Sequence, residues 1–67
     1  MITYAPFWKT LKRYSTSTYE LIKSDGISSS TIHCLRRNLP VDTKTLDKLC
    51  KALYCSISDV VEYIPDK

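Results

Sequence analysis

Apolar residues recur along this chain at helical spacing, in blocks bounded by residues that cap or break helices. The clearest block is Leu46, Leu49, Cys50 and Leu53, spaced i, i+3, i+4 and i+7, with Lys44, Asp47, Lys48 and Lys51 on the wet side. Asp42 or Thr43 stands where its N-cap belongs. Near the start, Pro6 suits the first turn of a helix, and Phe7, Trp8 and Leu11 form an apolar stripe with Lys9, Lys12 and Arg13 turned outward; this helix is expected to end near Tyr14. Leu39-Pro40-Val41 reads as an extended connection, because the Pro40 ring disfavours helix at Leu39 and Pro40 lacks its own donor. Ser56 followed by Asp59 is a capping-box-like start for Ile57, Val60, Val61 and Ile64, with Pro65 as the stop. The Val60-Val61 pair has β propensity, yet cap and period favour a helix there.

Between these blocks, Ser15 to Leu35 reads as two short helices joined at Gly26. Ser17 is placed to cap a helix from Thr18, Glu20 sits at the capping-box position, and Leu21 and Ile22 give that helix its apolar side. Gly26 can take the left-handed conformation that ends it, Ile27 plugs the corner, and Ser28 caps a second helix of about residues 28–36. In that helix Ile32 and Leu35 lie on one face and would be buried. Ser29, Ser30, His33 and Cys34 remain outside, followed by Arg36, Arg37 and Asn38. Taken alone, Ser28-Ser29-Ser30-Thr31 is a cap plus solvated surface; its place after Gly-Ile makes it the start of a recognition helix. The layout is a helix-turn-helix, and small polar groups followed by cations suit a helix entering the DNA major groove. The expected fold is therefore all-α: a compact five-helix bundle, one domain over 1–67, with the helix-turn-helix at helices two and three.

At 67 residues the chain holds one small core, which excludes a large active-site architecture. One Gly and 43% hydrophobic residues argue for a folded domain rather than a disordered one. The formal charge of +3 favours polyanions mildly, well short of a non-specific nucleic-acid coat. No charged leader with an apolar core and no membrane-length segment is present, so the expected location is cytoplasmic, and the odd set Cys34, Cys50 and Cys55 fits thiols kept reduced inside a cell. Cys50 reads as a core residue. His33 beside Cys34 lacks the paired spacing of a metal site, and one His with scattered acids assembles no nucleophile, base and orienter; no metal, cofactor, small-molecule ligand or enzymatic activity is expected.

Leu21, Gly26, Ile27, Ile32 and Leu35, followed by Leu46-Asp47-Lys48-Leu49-Cys50-Lys51-Ala52-Leu53, resemble the Cro and phage-repressor class of helix-turn-helix domains, often called XRE-like. The likeness spans nearly the whole chain and implies a lambda-repressor-like fold in a small stand-alone bacterial or phage regulator. It also implies base reading by Ser29, Ser30, Thr31, His33 and Cys34, and backbone contacts from Thr18, Ser28, Arg36, Arg37, Asn38 and Lys44. Thr18 stands where the family has a phosphate-contacting Gln, and Asn38 where it commonly has Gly. The expected partner is double-stranded DNA, bound by a homodimer whose contact would lie at the fifth helix and Tyr63-Ile64-Pro65. The alternative is a protein-interaction module on the same scaffold, as an antitoxin or co-regulator, suggested by the short side chains of the recognition face.

Overall fold

A computed structural model describes residues 1–66; Lys67, the last residue of the expected domain, lies outside them. Among the described residues four α-helices carry the fold: α1 (Ala5–Arg13), α2 (Thr18–Ser24), α3 (Ser29–Arg36) and α4 (Thr43–Leu53). Three begin as their caps predict. The hydroxyls of Ser17 and Ser28 accept from the N–H groups of Glu20 and Thr31 at 3.3 and 3.1 Å, and the Asp42 carboxylate accepts from Thr45 N–H at 2.8 Å. In α1 the helix starts one residue before Pro6, with Tyr4 at the cap position.

Three helices end on the same kind of turn. Ser15, Asn38 and Tyr54 have φ of 53°, 54° and 51°, and beyond each of them a backbone N–H reaches back five residues to a carbonyl: Thr16 to Leu11, Leu39 to Cys34 and Cys55 to Cys50, at 2.9–3.1 Å. These bonds satisfy carbonyls that the helix leaves unpaired. The turn between α2 and α3 is made by Gly26 at φ 71°, where an added Cβ would meet nothing within 4 Å. Backbone conformation, not space, is what calls for glycine there.

The core is one cluster: Tyr4, Phe7 and Leu11 before and within α1, Leu21 of α2, Ile27 in the turn, Ile32 and Leu35 of α3, Leu49 and Leu53 of α4, and Val60. Phe7, Leu35, Leu49 and Val60 are fully buried. Trp8 packs edge-on to Phe7, with ring centroids 4.9 Å apart and planes at 78°.

The expected fifth helix does not form. Ile57–Asp59 is a single 3-10 turn, and Glu62–Tyr63 is a short strand, β2, paired antiparallel with β1 (Ile2–Thr3), Ile2 opposite Tyr63 and Thr3 opposite Glu62. The capping box is real: Ser56 N–H donates to Asp59 Oδ2 at 3.3 Å. It starts a turn that has no buried face to extend along, since Val60 is fully buried while Ile57 and Ile64 stay 52% and 42% exposed. Beyond Val60 the chain instead meets the N-terminal segment, where Ile64 N–H donates to Met1 C=O at 2.7 Å. Val60 still closes the 3-10 turn, and the β-branched Val61 after it suits the extended path into that ladder.

Candidate nucleic-acid interface

The helix-turn-helix is held from beneath by Leu21, Ile27, Ile32 and Leu35, all at most 5% exposed. Because a helix turns once in about 3.6 residues, burying Ile32 and Leu35 brings Ser30, His33 and Arg37 to the opposite face. All three are exposed, as are Ser29 and Arg36 on the flank toward Ile32. Thr31 and Cys34 are half-buried at the margins, and Cys34 lies close to Tyr4. Of the five residues expected to read bases, Ser29, Ser30 and His33 thus share an open face, while Thr31 and Cys34 border the core.

Among the expected backbone contacts, Arg36, Arg37 and Lys44 are exposed and form no ion pair among the described residues. Arg36 and Arg37 therefore keep their guanidinium groups free of salt bridges among the described residues, while Lys44 acts electrostatically on Asp42 without pairing with it. Arg36 lies with its guanidinium carbon 5.2 Å from the Trp8 ring centroid, so a ring packed on the core orients one cation of the face. Thr18 is half-buried in the first turn of α2. Ser28 is occupied as a cap and shares a 3.0 Å contact with the Thr31 hydroxyl.

Asn38 has a structural task as well. Its left-handed backbone closes α3, and its Oδ1 accepts from Tyr4 N–H at 3.1 Å. The Tyr4 hydroxyl donates to Leu39 C=O at 2.7 Å, so two hydrogen bonds fasten the exit of α3 to the entry of α1. Burial pushes the Tyr4 phenol up, a backbone contact from Val41 opposes this, and Cys34 adds to the rise. Trp8 and Tyr4 are the supporting residues that sequence reasoning missed. Trp8 could be placed on an apolar stripe, but nothing local pairs it with Arg36; Tyr4 precedes every helical signal, and its partners lie 34 and 35 residues away.

Among the described residues no three His, Cys, Asp or Glu side chains gather as a metal site, and no helix is long and apolar enough to cross a membrane.

A buried helix-turn-helix, an open second helix and exposed cations at its exit define the class: a nucleic-acid-binding domain of helix-turn-helix type. A model of the Cro/C1-type HTH DNA-binding domain matches residues 7–66, and the chain belongs to that family. It is also similar to the crystal structure of the transcriptional regulator VanUg (form II), with a TM-score of 0.86 and 31% identity, over 97% of this chain and 87% of that one. No curated protein sequence matches it.

Proposed function

We propose that the protein is a sequence-specific transcriptional regulator that sets α3 into the major groove of double-stranded DNA and acts as a homodimer on a two-fold-symmetric site, with half-sites about one helical turn apart. The observation that carries this reading is the face of α3. Ser30, His33 and Arg37 stand open on a helix whose other side is locked into the core, and Arg36, Arg37 and Lys44 form no salt bridge among the described residues. Ser29, Ser30 and His33 meet base edges; Arg36, Arg37 and Lys44, with Thr18, Ser28 and the amide nitrogen of Asn38, meet phosphates. Thr31 and Cys34 contribute at the edge of the face, Thr31 through its methyl or hydroxyl. The short side chains give modest base discrimination, since Ser pairs with several bases and none of the readers has a bidentate fork. The dimer contact lies where Met1, Ile2, Tyr63 and Ile64 leave apolar surface exposed on the β1–β2 ribbon.

Replacing Arg36 and Arg37 together by Ala tests the assignment. The slope of log affinity against log salt should shrink by about 2, with matched and mismatched duplexes weakened alike, because phosphate contacts release counterions without reading sequence. An unchanged salt slope would remove α3 from the DNA and favour a protein partner for this face.

A further inference from the structure

Cys50 and Cys55 are brought together by the turn that ends α4. Left-handed Tyr54 reverses the chain, Cys55 N–H donates to Cys50 C=O at 3.1 Å, and Tyr54 N–H donates to Lys51 C=O at 3.4 Å. This is the Schellman pair of bonds, and the motif sets the side chains at these two positions against each other, usually as an apolar contact. Here the positions hold thiols, both half-buried and packed beside the core. The third cysteine, Cys34, lies in α3, close to Tyr4.

We propose that Cys50 and Cys55 are a dithiol modification site, which hydrogen peroxide converts to an intramolecular disulfide that locks the end of α4. One thiolate attacks a peroxide oxygen and the O–O bond breaks, leaving a sulfenic acid and, after protonation, water. The second sulfur then displaces the sulfenic oxygen as a second water, forming the S–S bond. Two thiols lose two electrons and two protons, and one peroxide is reduced to two waters.

The bond from Cys55 N–H to Cys50 C=O holds the two residues across one turn, so the S–S bond would join positions that the fold already sets side by side. The lock acts at a joint of the fold. Asp59 in the 3-10 turn accepts at its carbonyl from the Thr10 hydroxyl at 2.8 Å and faces Arg13 at 3.7 Å, which ties α1 to the segment that follows Cys55. Burial pushes the Cys55 thiol up, with Cys50 and Asp59 adding to the rise and Arg13 opposing it.

The test treats dilute folded protein with hydrogen peroxide, traps remaining thiols by alkylation, and reads intact mass, peptide linkage and Tm. The expected product is lighter by two hydrogen atoms, keeps only Cys34 alkylatable, yields a Cys50–Cys55 linked peptide, and melts higher by roughly 5 to 15 °C. The Cys34→Ser variant should lose both remaining thiols in the same way, and Cys55→Ser should form no internal link. Three surviving thiols, a linkage through Cys34, or a Tm unchanged or lowered by oxidation would overturn the proposal. If Cys55→Ser does not fold, Cys34→Ser and the wild-type peptide map still decide it.

Discussion

Three residues with side chains occupy a backbone region that ordinarily favours glycine, and they bear unequal loads. Tyr54 is 91% exposed at φ 51°, so its side chain gives little packing in return for a conformation that costs an L-residue roughly 1–2 kcal/mol. Tyr54→Gly should therefore raise stability by about 0.5–1 kcal/mol, the extra freedom of unfolded glycine offsetting the remainder, as a higher urea midpoint at unchanged m-value. Asn38 differs, since its amide oxygen also receives the Tyr4 N–H. Asn38→Ala should cost about 1–2 kcal/mol in the same unfolding measurement, from a lost acceptor and a left-handed alanine. An Asn38 that serves phosphate alone would leave the midpoint unmoved and weaken only DNA binding.

At the scale of elements, the starts of α2, α3 and α4 are legible in the chain. Ser17, Ser28 and Asp42 each cap the helix expected of them, because a cap is a contact across three residues and its chemistry is visible in the chain. The β1–β2 ribbon was not legible: each strand has two residues, and the partners Ile2 and Tyr63 lie at opposite ends of the sequence. Ser56 and Asp59 signalled a start correctly, but spacing alone could not tell a helix from a turn that leaves Ile57 and Ile64 in solvent. The α4 cap also has a pH signature. Hydrogen bonds from the Thr45 side chain and backbone hold the Asp42 carboxyl below its ordinary value of 3.8, with burial opposing and Lys44 assisting. A depressed folded-state pKa gives stability that is present above 3.8 and is lost as pH falls through the lower, folded value. Urea midpoints should accordingly drop on acidification below pH 4, and Asp42→Asn should flatten that part of the profile.

For the whole molecule, the core sets the direction in which α3 faces. Leu35 and Ile32 hold its inner side, the Tyr4–Asn38–Leu39 bonds fix its exit, and Trp8 carries Arg36. The exposed positions Ser29, Ser30 and His33 were legible from helical period once Ile27 and Gly26 had been located. The half-burial of Thr31 and Cys34 was not, because the width of the buried stripe depends on neighbours distant in sequence. The most direct test of the account is selection of bound DNA by the purified protein from a random duplex library at near-physiological salt, with sequencing of the retained fraction. Enrichment of a two-fold-symmetric motif with half-sites about one helical turn apart is the predicted result. Retention that is weak, salt-sensitive and without a preferred sequence would contradict it.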